Sequence, residues 1–281
     1  MKISKNLPAA TFALAVLLVA LGVGDLDYTI SKAVAGKSSV FGEFFNRVGE
    51  VPAYMGMVVG IAILYGGRRR DILWSNILGN VLGLPLLALF SYMLVAVPFY
   101  YAYEHTQGGV PKSVAIGIFV SAAVIFLGAL LVINNLGEDK IRQYRKHGLI
   151  LILLIVAEIL IVNVLKVLWA RPRMRSVESI EQFQHWFQIN GPTWDNELKS
   201  FPSGHTSNAF AVIAYSMFIP ETRRLYVKLF LIGALTWGSL VALSRVIRGD
   251  HFLSDVVVGG YITVFLFYLL SQLFQMKRDA K

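Results

Sequence analysis

The sequence predicts an all-α bundle that crosses a membrane about eight times, and three observations carry that expectation. The 281 residues are 56% hydrophobic and only 15% charged, with a mean hydropathy of +0.61; a soluble domain of this length could not hide so much apolar surface. The apolar residues fall in runs close to the ~20 residues that a helix needs to cross a hydrocarbon core of ~30 Å. The Lys and Arg residues gather in short segments between alternate runs, as in the cytoplasmic loops of membrane proteins.

The first run, 8 to 24, follows Lys2 and Lys5. A charged start before an apolar stretch also describes a signal peptide, but no small-x-small cleavage site follows, so a retained helix is expected. The second run, 51 to 67, is short and ends at Arg68, Arg69 and Arg70. The third, 72 to 99, contains Pro85 and Pro98, which membrane helices tolerate where neighbours satisfy the freed backbone groups. Within it Gly79 and Gly83 form a small-xxx-small step suited to packing inside the chain. The fourth, 113 to 136, leads into Lys140, Arg142, Arg145 and Lys146. The fifth, 148 to 169, encloses Glu158; an ionisable group at that depth is either functional or one half of a buried structural pair. The sixth, 204 to 220, is again short and precedes Arg223, Arg224 and Lys228. The runs 225 to 246 and 254 to 275 complete the set, and Lys277, Arg278 and Lys281 follow.

The intervening loops carry only scattered cations, among them Lys32, Lys37, Arg47, Lys112, Arg175, Lys199 and Arg248. That asymmetry places both termini in the cytoplasm and the long polar stretch 171 to 203 outside, in a plasma (inner) membrane. Residues 1–147 are then amino-terminal transmembrane helices, and 148–281 form a catalytic helical core. The formal charge of +9 reflects these clusters, so nucleic acid is not an expected partner; membrane lipids are. There is no cysteine, which removes disulfides, thiolate nucleophiles and Cys-based metal sites.

Three segments concentrate polar groups where an apolar chain should avoid them: Lys166 to Arg173, Phe201 to His205, and Ser244 to Asp255. All fall at outer ends of runs, which suggests one pocket. Lys166, Arg171, Arg173, Arg245 and Arg248 bring up to five cations, against Asp250 and Asp255 nearby. An anion with several oxygens is missing from that balance, and Arg and Lys both suit a phosphoryl group. In Pro202-Ser203-Gly204-His205, Pro and Ser start a helix while Gly204 admits a ligand close to free backbone N–H groups. His251 and Asp255 are four apart, so on one helical face the carboxylate can hold one imidazole nitrogen and leave the other basic, in nucleophile-plus-orienter geometry. His205 could then protonate a leaving alkoxide.

The three segments together resemble the signature of the type 2 phosphatidic acid phosphatase superfamily, which also includes vanadium haloperoxidases. The resemblance rests on Lys166 with Arg173 seven residues on, on Pro202 to His205, and on Ser244 and Arg245 with His251 and Asp255 six and ten residues after that arginine. Met174 stands where the family usually has proline, and Arg171-Pro172 precede Arg173, which leaves both arginines as candidate phosphate ligands. The resemblance implies that His251 attacks phosphorus, that Asp255 orients it, and that His205 protonates the leaving group and later activates water. It also implies that Lys166, Arg173, Arg245, Ser203 and Gly204 hold the phosphoryl oxygens with no metal and no cofactor, in a family core of six helices.

The expected function is therefore a lipid phosphate or diphosphate phosphatase with an extracytoplasmic pocket. Its candidate substrates are undecaprenyl diphosphate, the first choice, phosphatidylglycerol phosphate, phosphatidic acid and phosphorylated lipid A. A lipid phosphotransferase using the same phosphohistidine, and a non-enzymatic lipid transporter, are the alternatives. His105, His147 and His185 are expected in solvated loops, and Trp186, Phe187 and Trp194 at headgroup level.

Overall fold

The computed structural model describes residues 3–36 and 39–274. Lys2, Lys37, Lys277, Arg278 and Lys281, which entered the charge reading, lie outside the described residues. The described chain is helical, without strands: α1 (Ile3–Leu21), α2 (Leu26–Val34), α3 (Val40–Val48), α4 (Val51–Gly66), α5 (Leu73–Leu78), α6 (Leu84–Tyr103), α7 (Lys112–Leu136), α8 (Glu138–Arg142), α9 (Arg145–Trp169), α10 (Gly204–Phe210), α11 (Arg224–Ile247) and α12 (Leu253–Leu273).

Among the described residues six helices are long and apolar enough to cross a membrane, and seven if the pair Thr11–Leu21 and Leu26–Val34, bent by 91°, counts as one span. The expected eight are not all present as full spans. The run at 204 to 220 folds as α10 followed by a tighter 3-10 segment over Ala211–Phe218, shorter as a regular helix than the ~20 residues of a standard span. The second run is longer than its apolar core implies, because α3 and α4 join into Val40–Gly66 and carry polar residues with them. The third is one span, Leu73–Tyr103, with a π-helical turn at Gly79–Gly83 between α5 and α6.

α9 is the central element. Its buried face, Ile150, Leu151, Leu154, Ile155, Glu158 and Val162, repeats at helical spacing, and Ile150, Leu151 and Leu154 pack against Ile213, Met217, Leu231 and Phe267. The helix stops at Ala170, which takes a left-handed conformation (φ 47°), and Pro172 prevents its resumption. α4 crosses α9 closely: a Cβ on Gly60 would lie 3.0 Å from the Gly148 carbonyl oxygen, and one on Gly148 the same distance from that of Gly60. Small residues permit such contact between membrane helices. Gly79 and Gly83 pack against Arg68 and Tyr65 of the same chain. Glu158 accepts hydrogen bonds from Ser207 Oγ (2.7 Å) and Thr263 Oγ1 (2.5 Å), so it braces α9 against α10 and α12.

Of the three histidines expected in solvated loops, only His105 is largely exposed. His147 lies in the first turn of α9 with its ring against Phe218 (5.1 Å between centroids), and His185 stacks on Phe187 (5.0 Å). Aromatic faces offer these rings more contact than a polar loop would.

Candidate active site

Ends of α3, α6, α9, α10 and α11 converge on a cavity of about 800 Å3. His251 sits in the turn between α11 and α12, almost fully buried. Its Nδ1 lies 3.5 Å from Asp255 Oδ2 and 3.5 Å from Ser200 Oγ. Asp255 is locked in place: Oδ2 accepts from Ser200 Oγ (2.6 Å) and the Phe252 N–H (2.9 Å), and Oδ1 from Arg171 Nη1 (2.5 Å). With Nδ1 so engaged, Nε2 is the nitrogen left to the cavity that His251 lines. Burial pushes the imidazole down from the usual 6.5 to about 4, against the opposing pull of Asp255 and with the help of Lys166. The ring is therefore neutral at physiological pH, as a nucleophile must be.

His205 faces the same cavity from the first turn of α10, which Ser203 caps by accepting from the Thr206 N–H (3.4 Å) and hydroxyl (3.0 Å). The Ser203 N–H donates to the Asp255 carbonyl (3.0 Å), which ties the Pro-Ser-Gly-His turn to the start of α12. Gly204 lines the cavity, and Ser203 is fully buried behind it.

Lys166, Arg173 and Arg245 line the cavity as expected. Lys166 Nζ donates to the Lys199 carbonyl (2.9 Å) and Arg173 Nε to that of Asn196 (3.0 Å); among the described residues neither is ion-paired. Arg245 binds Asp250 Oδ2 through Nη2 (2.9 Å) and Asn46 Oδ1 through Nη1, and its buried Nε has no partner. Burial opposes the charge of Asp250, but Arg245 and Arg248 hold its carboxyl well below the usual carboxylate range.

Arg171, a candidate phosphate ligand by sequence, is not brought to the cavity. It is fully buried, with its nitrogens engaged by the Gln184 carbonyl (2.9 Å), Ser254 Oγ (2.7 Å), Asp255 Oδ1 and Asp27 Oδ2 (2.9 Å). Arg171 thus points to α2 and α12 while Arg173 faces the cavity.

The charge balance also differs from expectation, because Glu43, Glu50 and Glu104 join Asp250 in the cavity wall. Arg248 pairs with Glu43, with Asp250 Oδ2 (2.9 Å) and with Glu104 (3.5 Å), and Arg175 pairs with Asp250 (2.5 Å) and Glu197 (2.6 Å). What remains available to an anion is Lys166, Arg173 and the unpartnered Nε of Arg245. Sequence reasoning missed Glu43, Asn46 and Glu50. Their i, i+3, i+7 spacing, which puts all three on one helical face, was the signal that could have found them. Among the described residues no group of three His, Asp or Glu side chains is arranged to hold a metal ion.

Residues 147–279 match the PAP2 superfamily. The chain is 33% identical over 167 residues to phosphatidylglycerophosphatase B of Bacillus subtilis (strain 168), covering 57% of this chain and 73% of that protein. It is 35% identical over 162 residues to lipid A 4'-phosphatase of Francisella tularensis subsp. novicida (strain U112), covering 54% of this chain and 69% of that one. No solved structure matches at a comparable level.

Proposed function

This chain belongs to the PAP2 superfamily and is a multi-pass membrane lipid phosphatase, a phosphoric monoester hydrolase, and from that premise we propose that it works through a phosphohistidine on His251. The observation that carries the reading is the held imidazole: Nδ1 against Asp255 and Ser200, Nε2 toward a cavity where Lys166 and Arg173 have no ion-pair partner among the described residues. Nε2 attacks phosphorus as the bond to the leaving oxygen breaks, an alkoxide oxygen in a phosphomonoester or the bridging oxygen in a diphosphate, and His205 gives that oxygen its proton. Water, losing a proton to His205, then attacks the phosphoryl group. The N–P bond breaks, inorganic phosphate leaves, and both histidines return to their starting forms. Lys166, Arg173, Arg245 and the Gly204 N–H stabilise the phosphoryl oxygens, and Ser203 shapes the turn that presents Gly204.

Undecaprenyl diphosphate is the substrate we put first. Phosphatidylglycerol phosphate and a phosphorylated lipid A join it because the two relatives carry those activities in their names. Phosphate release from these lipids with EDTA present tests substrate and mechanism together. The cations supply the charge that a metal would otherwise provide, so activity is expected to survive chelation. Trapping of a phosphoenzyme that is absent in His251→Ala is expected; a phosphoenzyme that persists in that variant would overturn the assignment.

A further inference from the structure

His205 has a carboxylate partner of its own, and it comes from outside the segment that matches the family. Glu50 sits at the junction of α3 and α4 and is buried. Its Oε1 lies 3.6 Å from His205 Nδ1 and accepts from Asn208 Nδ2 (2.7 Å), while Oε2 accepts from the Tyr101 hydroxyl (3.0 Å). The Tyr101 ring lies against the imidazole, with centroids 4.8 Å apart. The other ring nitrogen, Nε2, is buried without a partner. A carboxylate buried to this degree is costly unless its oxygens are satisfied; here α6 and α10 satisfy them and leave one side for the imidazole. The arrangement repeats what Asp255 does for His251.

We propose that Glu50 is the positioning residue of His205. It keeps the Nδ1 proton in place, so that Nε2 is the nitrogen that gives a proton to the leaving oxygen and later takes one from water. It also offsets Lys166, Arg173 and Arg245, which share the cavity and oppose a protonated ring. A group that orients a catalytic imidazole and compensates its charge acts through that imidazole alone. The inference rests on the reading of His205 as the general acid.

The test uses the full-length protein and two substrates, phosphatidic acid, whose alkoxide leaves poorly, and an aryl phosphate, whose phenolate needs no proton. Glu50→Gln is expected to lower kcat on phosphatidic acid by about 10- to 100-fold and on the aryl phosphate by less than about threefold, because only the proton-dependent step is affected. Glu50→Asp should restore part of the loss. Glu50→Gln combined with His205→Ala should be no slower than His205→Ala alone, since the two residues form one unit. Tyr101→Phe removes one bond to Glu50 and should show a smaller loss with the same selectivity, which keeps the question open to test even if Glu50→Gln folds poorly. Equal losses on both substrates in Glu50→Gln, while His205→Ala remains selective, would overturn the role of Glu50 alone. A His205→Ala variant that lacks selectivity would overturn the general-acid reading and this inference with it.

Discussion

Arg171 and Arg173 stand two residues apart and have separate tasks. Arg171 is a buried counter-ion shared by Asp27 and Asp255, and removing one partner of such a set leaves uncompensated buried charge. Arg171→Met is therefore expected to lower stability by about 3–5 kcal/mol, whereas Arg173→Met should leave the unfolding midpoint within a few degrees and weaken turnover. Thermal unfolding in detergent, run beside phosphate release, checks both. His251 gives a pH prediction. Its folded value of about 4 lies below the unfolded 6.5, and the neutral ring is the nucleophile, so phosphoenzyme formation from an aryl phosphate, whose phenolate needs no proton from His205, should fall as pH drops through about 4. The unfolded chain binds the proton more readily across that window, so stability should also decline on acidification from 6.5 towards 4. The convergence of Lys166, His205, His251 and Asp255 was legible in the sequence because each is a polar group at the end of an apolar run. The division between Arg171 and Arg173 was not, because it depends on the direction of the chain after a left-handed Ala170.

At the scale of elements, the catalytic turn depends on how closely α12 can approach it. A Cβ on Gly259 would lie 2.4 Å from the Ser203 carbonyl oxygen, and backbone cannot yield as a flexible side chain can. Gly259→Ala should displace the Pro-Ser-Gly-His turn at a cost of about 1–3 kcal/mol, with turnover reduced well beyond the fraction of protein unfolded; a variant with normal kcat would show that the turn tolerates the shift. The apolar runs revealed most helices, since a helix surrounded by lipid is apolar on nearly every face. They hid α3 because its polar face, with Glu43 and Asn46, resembles a loop when read by hydropathy alone. They foretold 204 to 220 as one regular helix, where the chain instead runs as a short α10 continued by a tighter 3-10 segment.

For the whole molecule, the basic clusters at Arg68 to Arg70, Lys140 to Lys146 and Arg223 to Lys228 lie at the end of the bundle opposite the cavity, and we propose that this end is cytoplasmic. Single cysteines placed at 140–146 and at 176–200, in a chain that has none of its own, check the orientation. Only the second set should react with an impermeant reagent in intact cells; reaction of that set only after permeabilisation would reverse the orientation. We propose the same division of the chain into an amino-terminal part, 1–147, and a catalytic part, 148–281, of which the sequence made legible only the place of the three phosphatase segments. The cavity's reliance on both parts was not legible, since Glu50 and His205 are far apart in sequence.

Glu43, Glu50 and Glu104 precede every one of their basic partners in the order of synthesis. As the chain leaves the ribosome, these acids reach the bilayer before Arg245, Arg248 or His205 exists to receive them, so the first helices cannot settle as a finished unit. They must wait, shielded by water or by the insertion machinery, until α9 to α12 arrive. Fragments 1–144 and 145–281 made separately should each be degraded, and made together should accumulate and recover hydrolysis.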